Sequence, residues 1–298
     1  MARGWLVLLL AGVAAAQVVL NSPEPAPTLR VDVTLVNVYC SVRDRHGAFV
    51  RDMAKEEFEI REGGKRQPIR LFAREVDSPL TVALLLDTSG SVAPFIEAEK
   101  ATAARFFREF LRPGDSALVA GFAGRVALWR DFTASPDALE RALDTQAEAL
   151  PKRPGRGGTL LLDAVSLVSQ QKLRRRPGRK LMVVITDGLD NGSNAKIDDA
   201  IRAAQQADAV VYGIHFGEGD EGLVTLEDIA KPTGGRAWRV STKQPLERIF
   251  AAIAEEMRSQ YGLAYRPPDG AIAPGFRRLE VRTTRPGLDV RARHGYYR

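Results

Sequence analysis

Leu80-Thr81-Val82-Ala83-Leu84-Leu85-Leu86, followed at once by Asp87-Thr88-Ser89-Gly90-Ser91, decides how this chain reads. Seven residues without a charge match a strand buried on both faces, as in a parallel sheet covered by helices. The polar group after them stands where such a strand leaves the sheet. Residues 94–111 then carry Phe95, Ala98, Ala101, Phe106 and Phe110 at near-helical spacing, with Pro94 suited to a first turn. A second charge-free run, Leu181 to Thr186, ends at Asp187-Gly188. Around it the pattern predicts helices over 136–150, 159–175, 196–207, 223–230 and 245–259, with strands over 210–216 and 236–240. Ala117–Phe122 and Val126–Phe132 are parted only by Ala123-Gly124-Arg125, which predicts a hairpin. The expected fold is α/β: a doubly wound, mostly parallel, Rossmann-like sheet with one antiparallel edge strand.

Outside residues 77–259 the period changes to two. Val31, Val33, Leu35 and Val38 alternate with polar residues, and Phe58–Glu62 and Pro68–Phe72 read as short strands. After Tyr261 come Gly262–Tyr265, Arg278–Thr283 and Asp289–Arg293, the last two joined through Pro286-Gly287 as an expected hairpin. The terminal segments 29–76 and 260–298 are therefore expected to pair as one small β module with the α/β domain inserted between them. Residues 1–16 hold one early charge, an apolar stretch and Ala14-Ala15-Ala16, the pattern of a secretory signal peptide. That stretch falls short of the roughly 20 residues a membrane helix takes. A Pro-rich linker fills 17–28. The expected product is exported, periplasmic or extracellular, with no transmembrane segment in the mature chain.

Composition narrows the function classes. The 298 residues are 45% hydrophobic and 27% charged, with a net charge of +6, which is globular rather than disordered. The single Cys40 excludes an internal disulfide framework and a multi-cysteine zinc site. The three histidines, His46, His215 and His294, are far apart in sequence. The basic run Lys172 to Lys180 has no interleaved aromatics, so it reads as a solvated helix end and not as a nucleic-acid patch.

Chemistry concentrates at three strand or helix ends. These are Asp87, Ser89 and Ser91; Thr159 after Gly157-Gly158; and Asp187 in Thr186-Asp187-Gly188. Open α/β sheets bind ligands outside the carboxyl ends of their strands. Every side chain in this set offers a hard oxygen, which suits Mg²⁺, Mn²⁺ or Ca²⁺ rather than zinc. Each motif alone also reads as a helix cap or a turn. Asp163 and Asp190 read as nearby or surface acids, and Asn191-Gly192-Ser193 as a loop.

Taken together, Asp87-Thr88-Ser89-Gly90-Ser91, Thr159 and Asp187 resemble the metal-ion-dependent adhesion site (MIDAS) of von Willebrand factor A (VWFA) domains, over roughly residues 78–259. The leader and the ending Gly295-Tyr296-Tyr297-Arg298 resemble, more narrowly, exported bacterial VWFA-related proteins of acidobacterial type. The resemblance implies that Ser89 and Ser91 bind a cation directly. Thr159 would bind directly or through water, and Asp87 and Asp187 would hold waters and orient the hydroxyls. It also implies a non-enzymatic module whose cation captures an Asp or Glu carboxylate of a protein partner. The alternatives are a metal-dependent hydrolase or phosphotransferase, or a structural scaffold with an unused metal site. A phosphotransferase using Asp87 lacks a second acid in the motif, and a serine hydrolase lacks the G-x-S-x-G elbow, with only His215 as a base. No nucleotide-binding glycine motif follows the first α/β strand.

Overall fold

The computed structural model describes residues 35–74, 78–92, 95–148, 158–268 and 275–297. The expected signal peptide, the linker, the strand residues before Leu35 and the position of Pro94 lie outside them. In chain order the elements begin with β1 (Val36–Arg43), β2 (Phe58–Glu62), β3 (Lys65–Gln67), β4 (Ile69–Ala73), β5 (Leu80–Asp87) and α1 (Ile96–Phe110). Next come β6 (Ser116–Phe122), β7 (Val126–Thr133), α2 (Pro136–Glu148), α3 (Leu161–Val168), β8 (Arg179–Thr186) and α4 (Ile197–Gln206). The chain continues through β9 (Ala209–His215), α5 (Glu221–Thr233), β10 (Ala237–Arg239) and α6 (Leu246–Arg258). It closes with β11 (Tyr261–Tyr265), β12 (Phe276–Thr283), β13 (Asp289–Ala292) and β14 (Gly295–Tyr297).

All eight residues of β5 are buried, because the strand lies inside the central sheet with helices over both faces. That sheet has the order β10-β9-β8-β5-β6-β7. Pairing is parallel from β10 through β6, and β7 is the antiparallel edge. Alternate side chains of each strand serve opposite faces, as a period of two requires. Val82, Leu84 and Leu86 pack with Phe107 of α1 and Ile249 and Ile253 of α6. Ala83 and Leu85 pack with Leu161 of α3, Ala204 of α4 and Leu226 of α5. The fold is α/β and doubly wound. The chain leaves β5 for β6 on one side and later returns to β8 on the other, so β5 is the strand where the winding reverses.

The terminal segments build two antiparallel sheets, β13-β1-β11-β4 and β14-β12-β2-β3, around one core that includes Val38, Cys40, Ile60, Tyr261 and Tyr265. The hairpin expected between β12 and β13 does not form. β12 pairs with β2 (Leu279↔Glu62), whereas β13 pairs with β1 (Cys40↔Ala292). Alternation marks both as strands but does not encode the partner. The helix expected over 159–175 also changes character. It is α-helical to Val168, then widens into a π turn over Ser169–Leu173, with the Arg174 N–H donating to the Ser169 carbonyl at 2.9 Å.

One carboxylate ties the α/β layers to these sheets. Glu256 of α6 is 1% exposed. It accepts hydrogen bonds from Ser41 Oγ (3.1 Å) and Arg43 Nη2 (3.2 Å) of β1 and from Arg236 Nη2 (2.6 Å), while Arg291 Nε of β13 lies 4.0 Å away. Burial raises the Glu256 carboxyl. The guanidiniums of Arg236, Arg291 and Arg43 outweigh it and hold the group below its ordinary range.

Candidate metal centre

The parallel registers bring the carboxyl ends of neighbouring strands level. Asp87 stands opposite Phe122, and Thr186 opposite His215. The loop after β5 is pinned at this edge, since Thr88 N–H donates to the Phe122 carbonyl at 2.8 Å. Asp87 is 0% exposed. Its Oδ1 accepts the Ser89 N–H (2.8 Å) and its Oδ2 accepts the Thr186 hydroxyl (2.5 Å). Burial raises the Asp87 carboxyl, those hydrogen bonds oppose the rise, and the charge of Asp187 adds to it. Ser89 Oγ and Ser91 Oγ lie 3.0 Å apart.

Thr159 is buried at the start of the α3 segment and linked to the loop after Asp187. Its N–H donates to Asn191 Oδ1 (2.6 Å), and its hydroxyl has no hydrogen-bond partner among the described residues. The same loop is clamped to α3 by the two extra acids. Asp190 Oδ1 accepts the Leu162 N–H (3.2 Å) and the Ser193 hydroxyl (2.6 Å), and Asp163 accepts the N–H groups of Asn194 and Ala195. Asp187 Oδ1 accepts the Leu189 N–H at 3.0 Å. Behind it, the chain passes so near the start of α5 that a Cβ on Gly222 would lie 1.8 Å from the Asp187 carbonyl oxygen. Gly188, at φ +76°, takes the left-handed turn that this approach requires.

Direct contacts thus join Asp87, Ser89 and Ser91. Asp187 acts on Asp87 through its field, and Thr159 reaches the same loop through Asn191. Thr186 and Asn191 were not singled out from the sequence. Their one signal was position, beside Asp187 at the end of an apolar run. Glu99 was missed as well. It falls in phase with the buried stripe Ala103, Phe106 and Phe110 of α1, where an acid is out of place.

The donor set fits a hard divalent cation. Two oxygens at right angles on an ion 2.0–2.1 Å away are about 3 Å apart, which is the Ser89–Ser91 separation. Among the described residues no group of three His, Cys, Asp or Glu side chains is placed to hold a metal. The side-chain oxygens gathered at this edge therefore include neutral hydroxyls beside the carboxylates. His215 is buried at the same edge, and burial, then the charge of Arg239, lowers its imidazole pKa. No hydrogen bond joins it to Ser89 or Ser91 among the described residues.

Glu99 couples folding to pH. Burial, with the charge of Asp87 second, pushes its carboxyl from 4.5 up to about 8. The folded chain then binds a proton that the unfolded chain has released, so stability falls as pH rises through that window. In EDTA, the unfolding temperature is expected to drop between pH 6.5 and 8, and Glu99→Gln is expected to flatten the drop. Equal slopes in the two proteins would refute it.

Comparison with known proteins bears on the fold. The family model of the von Willebrand factor type A domain matches residues 81–252. A UPF0353 protein of Mycobacterium avium is 25% identical over 235 residues, covering 70% of this chain and 68% of that protein. The crystal structure of the conserved hypothetical protein BatB from Bacteroides thetaiotaomicron shares the fold at a TM-score of 0.50 and 20% identity, over 60% of this chain and 97% of BatB. Proximal thread matrix protein 1 of the mussel byssus, solved with zinc in its MIDAS motif, matches at a TM-score of 0.52 and 18% identity, over 66% of this chain and 49% of that one.

Proposed function

Since this chain belongs to the von Willebrand factor type A domain family, we propose that it is a binding module whose divalent cation, held by Ser89, Ser91 and Thr159 with Asp87 and Asp187 orienting hydroxyls and waters, captures an Asp or Glu carboxylate of a protein partner. Domains of this family are typically non-enzymatic and commonly bind proteins. The observation that carries the reading is the pair of serine hydroxyls at octahedral-edge spacing beside a buried aspartate. The cation supplies Lewis acidity. The chain's own residues decide how much of it survives, because neutral hydroxyls donate less charge than carboxylates and leave the ion attractive to an outside carboxylate. Mg²⁺ is the proposed ion, with Mn²⁺ or Ca²⁺ as substitutes, and the zinc in the mussel protein makes zinc a necessary arm of any titration.

We read the partner as a protein rather than a nucleic acid, and three cations of the basic run are used inside the fold. Lys172 pairs with Asp131, the Arg176 guanidinium sits 4.7 Å over the Phe132 ring, and Arg179 bonds the carbonyls of Ser78 and Met257. Arg174 and Arg175 of the same run are exposed. Export to the periplasm or beyond rests on the leader, and among the described residues no helix is long and apolar enough to cross a membrane.

The test is a pull-down from the native cell envelope with the full mature chain, in Mg²⁺ or in EDTA. Partners are expected only with Mg²⁺, and a peptide bearing a single Asp is expected to compete them off at millimolar concentration. Identical partner sets in both buffers would rule out metal-mediated capture.

A further inference from the structure

Two acids of the α/β layers are removed from solvent, Asp87 at 0% and Glu99 at 1% exposure. The Asp87 oxygens are accounted for by Ser89 and Thr186. The Glu99 oxygens are not: both are buried and neither has a hydrogen-bond partner among the described residues. Glu99 lies in the first turn of α1, close enough to Asp87 to feel its charge. The adjacent Lys100 does not answer it, because that ammonium turns to Glu97 (3.2 Å) and Asp144 (3.5 Å). The helix N-terminus offers only a partial positive charge, worth up to about 2 kcal/mol. An unpaired buried carboxylate costs several kcal/mol, so without a cation this acid keeps its proton, and it carries charge there only when paired or serving a metal.

We infer that Glu99 is a further member of the cation site, accepting hydrogen bonds from waters carried by the ion on its α1 side. This rests on the cation reading given above. The role is outer-sphere because Glu99, Asp87 and Asp187 are not gathered closely enough to ligate one metal together. Magnesium keeps several of its waters, and their protons need acceptors. Ionised beside a bound cation, this acid adds negative charge without taking the coordination position a partner carboxylate would fill. It strengthens the hold on the ion and leaves capture open.

The test uses the full mature chain and its variants Glu99→Gln, Glu99→Asp and Asp87→Ala. Mg²⁺ and Mn²⁺ affinities are measured by calorimetry, and unfolding temperatures in EDTA. Glu99→Gln keeps the shape and removes the charge. It is expected to raise the unfolding temperature in EDTA while weakening cation affinity by about 10- to 100-fold, the usual loss for an outer-shell partner. Glu99→Asp is expected to fall between wild type and Glu99→Gln. A merely structural acid would not move the two readouts in opposite directions. Unchanged cation affinity in Glu99→Gln, with Asp87→Ala inactive, would overturn the role of Glu99 alone. An Asp variant that binds more weakly than the Gln variant would assign the effect to packing and overturn it too. Absence of cation uptake in wild type would overturn both this role and the reading beneath it.

Discussion

Glu256→Ala is expected to lower the unfolding free energy by about 3–5 kcal/mol, the cost of removing one partner from a buried ion pair. Three guanidiniums and the Ser41 hydroxyl converge on this carboxylate from β1, from β13 and from the turn before β10. Without it, Arg236 and Arg43 remain close together with no counter-charge. At about 2–4 °C per kcal/mol for a domain of this size, the unfolding temperature is expected to fall by about 6–20 °C. The pH dependence has a definite sign. Since the folded-state pKa of Glu256 lies below its unfolded value, its contribution is present at neutral pH and is lost as pH falls through the lowered pKa. Urea unfolding at pH 7 and at pH 4 checks both statements: the gap between wild type and Glu256→Ala should narrow in acid. A loss below about 1 kcal/mol at pH 7 would mean that water, not protein, satisfies the cluster.

Saturating Mg²⁺ is expected to raise the wild-type unfolding temperature, and Asp87→Ala is expected to abolish the rise. A ligand at 100 times its dissociation constant stabilises the native state by about 2.7 kcal/mol, or about 5–10 °C here. Asp87→Ala also frees the Ser89 N–H and the Thr186 hydroxyl, and it removes a buried charge that Asp187 opposes. The decisive quantity is therefore the difference between Mg²⁺ and EDTA within each protein. Asp228→Ala, at an exposed acid on α5, should keep the full rise. A rise of equal size in Asp87→Ala would place the ion elsewhere.

Much of the α/β architecture was legible in the chain because it is written in local periods. The run before Asp87 has no charge, so burial on both faces followed, and the short gap at Ala123-Gly124-Arg125 announced the antiparallel edge. Where the sequence misled, the missing information was non-local. Two alternating segments joined by Pro286-Gly287 resemble a hairpin, yet their partners are β1 and β2, more than two hundred residues away. The strands Lys65–Gln67 and Gly295–Tyr297 were missed because three residues are too few to show a period. At the centre, the oxygen-bearing residues could be named from their positions at strand ends. Their supports could not: Asn191 fixing the Thr159 backbone, Thr186 donating to Asp87, and Asp163 and Asp190 clamping one loop to α3.

By itself the sequence determined a doubly wound sheet and the ends at which its polar side chains emerge, because strand and helix formation answer to neighbours two to four residues away. Tertiary packing alone settled that Glu99 is buried with no hydrogen-bond partner among the described residues and that Glu256 gathers three arginines. Burial and charge pairing depend on which distant surfaces meet, and a charged side chain reads the same in the chain whether it ends in water or in the core.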